Sequence, residues 1–305
     1  MKIEELEKVY AKLPQVAALA HEIENAATRR IFLEGLLASS APMLFGSLAA
    51  KCKSPILFIL QDAEEAGYFY HDLTQLLGTR QVLFFPSSYR RAIKYGQLDS
   101  ASQILRTEVL TQITTNQHPS PTTLYIVTYP EALAEMVVPK QTLNDRTVVI
   151  EKGQEVPVGD ITKQLRELGF NEVDYVYEPG QFALRGSILD VYSYSCEYPY
   201  RIDFFGDDVE SVRTFQVEDQ LSLDARDRVE IVPELEADEA AQEPFLSLLP
   251  QDTIIATKDY LYVRDAIDAA FQEDMPLVTG VQFMHQAEGF RRIEFGHRQS
   301  MVNGQ

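Results

Sequence analysis

Arginine and carboxylate side chains recur at alternate positions in one stretch of the chain, and this pattern could recognise a charged partner. Segment 178–191 contains Arg185, and segment 199–213 contains Arg201 and Asp203. Successive residues of a strand point to opposite faces. The pattern therefore predicts a small sheet with one apolar face and one face that carries Arg185, Arg201 and Asp203. Such a face is either a set of cross-strand ion pairs without further function or a recognition surface for a charge-matched protein.

A second cluster combines cations with aromatic rings in the loop expected after the strand 82–85. The cluster consists of Tyr89, Arg90, Arg91, Lys94 and Tyr95. Aromatic rings interleaved with cations can hold nucleic acid by stacking and charge. The alternative is a surface loop whose tyrosines pack inward. The few cations on an acidic chain favour this second interpretation.

The turn after the first predicted strand, 31–36, is the place where an α/β nucleotide-binding domain holds phosphates. An active loop needs glycines whose backbone N–H groups surround the phosphates, a lysine, and a serine or threonine for magnesium. This turn instead contains Ala38, Ser39, Ser40 and Ala41, and no lysine. We therefore expect a degenerate, non-functional phosphate loop and no ATP hydrolysis.

Histidine and cysteine residues show no spacing typical of a metal site or of nucleophilic catalysis. The two cysteines, Cys52 and Cys196, lie far apart, which indicates a reducing compartment and no disulfide framework. The five histidines are scattered along the chain: His21, His71, His118, His285 and His297. We therefore expect no catalytic residue, no metal and no cofactor in this chain.

The composition describes an acidic chain that can fold. Its 305 residues include 27 lysines and arginines against 46 aspartates and glutamates, for a formal net charge of −19. This charge predicts little or no autonomous binding to nucleic acid or anionic membranes. A hydrophobic fraction of 45% excludes wholesale disorder. No apolar run approaches the roughly 20 residues of a membrane span, so a soluble, cytoplasmic protein is expected.

The order of the predicted elements divides the chain into two kinds of domain. After N-terminal helices, strands and helices alternate up to about residue 133, which is typical of a parallel sheet covered by helices. Over 134–217 one short helix is followed by strands, which indicates a small α+β domain. Segment 218–305 begins with an acidic stretch and then returns to the α/β pattern. The acidic stretch is a solvated linker or a partner-binding patch.

Two segments resemble a known family. The string PGxFxxRGxxxD…PxRIxFFGDxxxSxR over 179–213 resembles the N-terminal region of the bacterial transcription-repair coupling factors, and more distantly the excision-repair helicase UvrB. Segment 84–110 resembles the coupling-factor branch. The resemblance covers most of the chain and is strongest over 175–215.

The resemblance implies a fold of the α/β class with a small insertion. A degenerate P-loop, helicase-like parallel-sheet domain is split into two parts, 1–133 and 218–305, and the small α+β domain, 134–217, is inserted between them. The ATP-driven translocase and the polymerase-binding domain of the family lie C-terminal to this region. We therefore expect this chain to be an N-terminal fragment that is not itself an enzyme.

The resemblance also implies a partner. In UvrB the inserted domain binds UvrA, and the matching positions here are Arg185, Arg201 and Asp203; a further UvrB arginine is replaced by Ala183. The expected function is a non-catalytic recruitment module of transcription-coupled nucleotide excision repair, with RNA polymerase and DNA contacted by the rest of a longer protein. The alternative is a DNA-binding or DNA-probing module that uses loop 89–95. Charge reversal at Arg201 should abolish UvrA binding without changing the thermal melt.

Overall fold

The structure is a computed structural model. It describes residues 3–25, 27–36, 38–88, 100–115, 123–235, 242–270 and 277–296. Its helices are α1 (Ile3–Tyr10), α2 (Pro14–Glu24), α3 (Ser40–Leu48), α4 (Ala63–Leu77), α5 (Ser100–Thr115), α6 (Pro130–Ala134), α7 (Lys140–Arg146), α8 (Val158–Glu167), α9 (Tyr260–Ala269) and α10 (Gly280–Ala287), with a 3₁₀ helix at Phe245–Leu248.

The strands begin near the N-terminus and continue to the end of the described chain. They are β1 (Arg30–Glu34), β2 (Ile56–Ile59), β3 (Val82–Phe85), β4 (Tyr125–Thr128), β5 (Met136–Val137), β6 (Val148–Glu151), β7 (Asn171–Glu172), β8 (Gln181–Arg185), β9 (Ile188–Val191), β10 (Tyr200–Phe205), β11 (Asp208–Phe215), β12 (Ser222–Arg226), β13 (Arg228–Ile231), β14 (Glu243–Pro244), β15 (Ile254–Thr257) and β16 (Arg291–Gly296).

Six of the described strands form a sheet in the order β1-β16-β15-β2-β4-β3. Every neighbouring pair in it is parallel. The inner strands β2, β4 and β15 are buried at every position, as in sheets that helices cover on both faces. Strand β1, at the edge, alternates between exposed and half-buried residues. The expected α/β fold with a separate small domain is confirmed.

The small sheet has the order β12-β11-β10-β9-β8-β7. Strands β8 to β12 run antiparallel to one another, and β7 pairs with β8 in parallel. Two short turns depend on glycine, because Gly186 and Gly206 have φ of +63° and +65°, a region that side chains with a Cβ rarely adopt. These turns fix the register of β8 with β9 and of β10 with β11. The register decides which side chains share a face.

The apolar face of the small sheet packs against α8. Phe182, Leu189 and Ile202 from the sheet share one core with Ile161 and Leu165 from the helix. The alternation predicted for β8 and β10 is therefore confirmed. Since the apolar residues of these strands face this core, the intervening polar residues must face the other side.

The described chain divides into two compact units. Residues within Met1–Ser88, Asn116–Val137 and Glu243–Gln305 form the parallel-sheet unit, and residues within Tyr89–Thr115 and Val138–Gln242 form the small-sheet unit. This division differs from the expected boundaries at 133 and 217.

Strand pairing explains the difference at residue 217. Strand β12 pairs with β11, and β13 pairs with β6, so both strands lie within the small-sheet unit. Strand β12 has no buried residue, which is why its sequence lacks the alternating apolar signal of a half-buried strand. Helix α5 is also grouped with the small-sheet unit, and residues 236–241 of the expected acidic linker lie outside the described residues.

Candidate functional site

The polar face of the small sheet is organised around the carboxylate of Asp190 in β9. This side chain is 0% exposed, and the register places it opposite Arg201 of β10 and Ala183 of β8. Arg201 donates from Nε to Oδ1 at 2.7 Å and from Nη2 to Oδ2 at 2.8 Å. Arg185 also donates from Nη2 to Oδ2. One buried carboxylate therefore orients both of the predicted arginines.

The remaining contacts of Arg201 tie it to the sheet. Its Nη1 donates to the backbone oxygen of Gln220 and its Nη2 to Oε1 of Gln220, each at 3.1 Å. The guanidinium lies over the ring of Phe215, 4.2 Å from the centroid, and the side chain is 13% exposed. Hydrogen bonding to Asp190 is the largest cause of the raised pKa of Arg201. Arg201 is chiefly part of the framework of the face.

This placement corrects one expectation from the sequence. A glutamate at position 201 would bring a second carboxylate against the buried Asp190, and an unpaired buried charge is strongly destabilising. Charge reversal at Arg201 would therefore change the thermal melt, so it does not separate a binding role from a structural one.

Asp203 belongs to a second ion-pair cluster on the same face. It accepts a hydrogen bond from Oγ of Ser211 at 2.7 Å and another from Nη1 of Arg213. Arg213 also donates from Nε to Oγ of Ser222 at 2.8 Å. The Asp203 side chain is 20% exposed and that of Arg213 is 28% exposed. The sequence analysis missed Arg213, although the alternation of the hairpin places it opposite Arg201.

Arg185 is the most accessible of the three predicted residues, with 33% of its side chain exposed. Its Nη1 donates to the backbone oxygen of Asp174 at 3.1 Å, and its guanidinium lies 4.9 Å from the ring centroid of Tyr175. Tyr175 is 50% exposed and Phe205 is 77% exposed. Alternation along β10 puts Phe205 on the same side as Asp203. The sequence analysis missed both aromatic residues, because exposure depends on the packing of neighbouring segments.

The structure thus brings Arg185, Arg201 and Asp203 to one face and pairs each of them within the chain. Internal pairing and partner recognition are compatible on such a face. Arginines already held by Asp190 lose little conformational freedom when a partner binds, which lowers the cost of association. The face can contact a protein through oriented charges and through exposed aromatic rings.

The turn of the predicted degenerate phosphate loop lies between β1 and α3. Ala38 has a φ of +47°, an uncommon conformation for a residue with a Cβ. Ser39 precedes the helix, and its side chain accepts no capping hydrogen bond from it. Ser40 begins α3, and from Ala41 onward the helix is buried. Strand β1 is therefore followed by a turn and a helix, as in a nucleotide-binding domain. The residues of this helix from Ala41 onward pack in the apolar core.

Five residues of the predicted nucleic-acid loop lie outside the described residues: Tyr89, Arg90, Arg91, Lys94 and Tyr95. In the ranges that the structure does describe, no three histidine, cysteine, aspartate or glutamate side chains meet as a metal site would require. No helix in those ranges is both long and apolar enough to cross a bilayer. Cys52 and Cys196 are free thiols.

The part of the chain that contains the polar face is similar to a known protein family. Residues 148–236, which run from β6 to β13 and contain this face, match the family model of the UvrB interaction domain. The chain also resembles transcription-repair-coupling factors, as its motifs predict. It is 28% identical over 201 residues to that of Bacillus subtilis (strain 168), with 66% of this chain covered. It is 28% identical over 216 residues to that of Escherichia coli (strain K12), with 70% covered.

The relatives are much longer than this chain. The matched segments span 17% of the Bacillus subtilis protein and 18% of the Escherichia coli protein. A transcription-repair-coupling factor of Myxococcus xanthus is 26% identical over 216 residues, and the match spans 18% of its length. The similarity therefore concerns one part of these proteins.

Proposed function

We propose that the small-sheet unit is a docking module that binds UvrA in transcription-coupled nucleotide excision repair. Two findings support this role: the match of residues 148–236 to the UvrB interaction domain, and the similarity to transcription-repair-coupling factors. The module recruits UvrA in the cytoplasm and carries out no chemical step. In a longer protein, other domains supply the contacts with RNA polymerase and DNA and the ATP-driven translocation.

The exposure of Phe205 beside oriented charges is the observation that carries the proposal. A phenylalanine that is 77% exposed leaves an apolar ring in water, and burial of that ring against a partner is favourable. Phe205 lies on the face of Asp203, in the same sheet as Arg185 and Arg201. Aromatic residues, phenylalanine included, and arginines are enriched at protein interfaces relative to the rest of the surface.

The contacts divide the proposed face into a framework and a contact layer. Asp190 is fully buried and Arg201 is nearly so. Their ion pair joins β9 to β10, and Asp190 orients Arg185. Arg185, Tyr175 and Phe205 are the more exposed groups and form the contact layer. Asp203 adds a partly exposed carboxylate.

We further propose that this chain does not hydrolyse ATP and binds DNA weakly or not at all. The turn at Ala38 offers no lysine to bind the phosphates, and the helix after it is buried from Ala41 onward. The net charge of −19 opposes nucleic-acid binding. ATP should therefore produce neither turnover nor a rise in thermal stability, because a ligand that binds the folded state must stabilise it.

The test uses substitutions in the contact layer, with matched controls elsewhere in the chain. Arg185→Gln, which leaves the buried Asp190 paired with Arg201, is compared with Arg264→Gln, a change at an arginine of α9 whose side chain is 39% exposed. Phe205→Ser is compared with Tyr68→Ser, where the tyrosine of α4 is 67% exposed. Affinity for purified UvrA is measured by titration, and the melting temperature of each variant is recorded.

We expect the two contact-layer variants to bind UvrA roughly tenfold more weakly or worse, while the control variants bind like the unmodified chain. Equal binding by all four variants would exclude this face as the docking site. Absence of binding by the unmodified chain would refute the proposed function itself.

A further inference from the structure

Three arginines meet at the amino end of the parallel sheet, opposite the carboxyl end at which open α/β sheets usually bind ligands. Arg29 precedes β1, Arg30 begins that strand, and Arg292 lies near the start of β16. Together with Glu288 and Phe290 they line a cavity of about 250 Å³. We refer to it as the arginine cavity.

The register of β1 with β16 places two of these cations side by side. Arg30 of β1 and Arg292 of β16 are direct partners in the parallel pair. Side chains at such positions stand about 5 Å apart on one face, and like charges placed there destabilise the sheet.

The described neighbours leave the cluster with a net positive charge, because the cavity lining combines three arginines with one acidic residue, Glu288. Arg29 donates from Nη2 to the backbone oxygen of Glu288 at 3.3 Å, and Arg292 lies 5.3 Å from the ring centroid of Tyr260. Neither contact supplies a negative charge. Among the described residues, no carboxylate forms an ion pair with Arg29, Arg30 or Arg292. The surrounding chain nevertheless has an excess of acidic residues.

We propose that the arginine cavity binds a doubly charged phosphate group, either inorganic phosphate or a small phosphate monoester. Guanidinium groups match phosphate oxygens in charge and in hydrogen-bond geometry. Binding of a dianion would relieve the repulsion between Arg30 and Arg292. The site is separate from the degenerate phosphate loop, which follows the carboxyl end of β1.

Charge and size distinguish this ligand from carboxylates and from nucleic acids. A carboxylate carries a single charge and would leave more of the three-cation cluster unneutralised. A nucleic acid presents singly charged phosphodiesters on a polymer that a chain with net charge −19 repels. A volume of about 250 Å³ accommodates a phosphate group with a small attached moiety, which Phe290 is placed to contact.

The test compares thermal melts of the full chain in potassium phosphate and in potassium chloride at matched ionic strength. Arg30→Gln removes one cation from an exposed position, and Arg264→Gln removes a surface arginine from outside the cavity. The phosphorus NMR line width of inorganic phosphate reports binding directly. Adenosine monophosphate and adenosine are then added separately.

We expect phosphate to raise the melting temperature of the unmodified chain and of Arg264→Gln more than chloride does. Arg30→Gln should lose this additional rise, with affinity for phosphate lower by roughly tenfold or more. An equal rise in all three proteins would be a general salting effect and would overturn the proposal, as would no rise at all.

Adenosine monophosphate and adenosine show whether the ligand is inorganic phosphate or a phosphate monoester. A larger shift with adenosine monophosphate than with inorganic phosphate would indicate that a phosphate monoester is the ligand. Equal shifts would indicate inorganic phosphate. A shift with adenosine that matches the shift with its monophosphate would contradict recognition of the phosphate group.

Discussion

Arginines occupy opposite electrostatic settings in the two units of this molecule. On the polar face of the small-sheet unit, Arg185 and Arg201 share the buried carboxylate of Asp190. In the arginine cavity of the parallel-sheet unit, Arg30 stands opposite Arg292, and no carboxylate of the described residues pairs with either. In the first setting each arginine has a carboxylate partner in the folded chain, whereas in the second setting neither of the two arginines has one among the described residues.

This difference shows that the role of an arginine in a sheet depends on its partner. An arginine that is paired with a carboxylate of the chain stabilises the fold, whereas an arginine without such a partner can bind an external anion. Removing a charge from the neutralised setting should cost stability, because the other charge is left buried and unpaired. Removing one from the cavity should increase stability, because a repulsion is relieved. The following changes test this contrast from the largest expected effect to the smallest.

The largest effect is expected for Asp190→Ala. This change leaves Arg201, which is only 13% exposed, without its carboxylate, and it also releases Arg185. Breaking a buried ion pair by removal of one partner costs about 3–5 kcal/mol. Urea unfolding followed by circular dichroism measures the loss.

Glu210→Ala is the matched control, because Glu210 is an exposed residue of β11 in the same sheet. Its free energy of unfolding should change by no more than about 0.5 kcal/mol. A loss for Asp190→Ala as small as that of the control would mean that the ion pairs are not part of the framework.

An intermediate effect is expected for Glu108 of α5, a half-buried carboxylate whose charged neighbour is Glu197. Burial first, and then the charge of Glu197, raise the pKa of Glu108 from 4.5 to about 7. The pKa of Glu108 is higher in the folded state than in the unfolded state. Between pH 4.5 and about 7 the folded state therefore binds more protons than the unfolded state. Stability should therefore fall as the pH rises from about 4.5 to about 7 and then level off.

Glu108→Gln should remove this pH dependence. At about pH 8 the variant should be more stable than the unmodified chain by up to about 3 kcal/mol, and the gain should vanish near pH 4. Urea unfolding of both proteins at several pH values measures it. A variant that is less stable at every pH would show that the Glu108 carboxylate makes a stabilising contact, like that of Asp190.

The smallest effect is expected for Arg30→Gln in chloride buffer. Relief of the repulsion across β1 and β16 should raise the free energy of unfolding by about 0.2–1 kcal/mol. Arg264→Gln, at the surface of α9, should give no increase. A loss of stability for Arg30→Gln in chloride would mean that the two cavity arginines are neutralised within the chain, and the contrast between the two settings would disappear.

Much of the fold follows from local sequence patterns. Alternating strand and helix signals predict the parallel sheet, because a strand that is buried on both faces and a covering helix each have a distinct apolar pattern. The period-2 pattern of β8 and β10 predicts the two faces of the small sheet, and the residues at Ala38–Ala41 predict the degenerate turn. These features depend on residues that are close in sequence.

Other features were decided by pairing between distant segments. Asp190 lies within a recognised motif, but only the register of β9 between β8 and β10 makes it the centre of the polar face. The meeting of Arg30 and Arg292 results from the pairing of the first and last described strands, which no local pattern specifies. The sequence by itself determined which residues share a face, since alternation is local. The tertiary structure alone decided which charges find a partner, since that depends on register and burial.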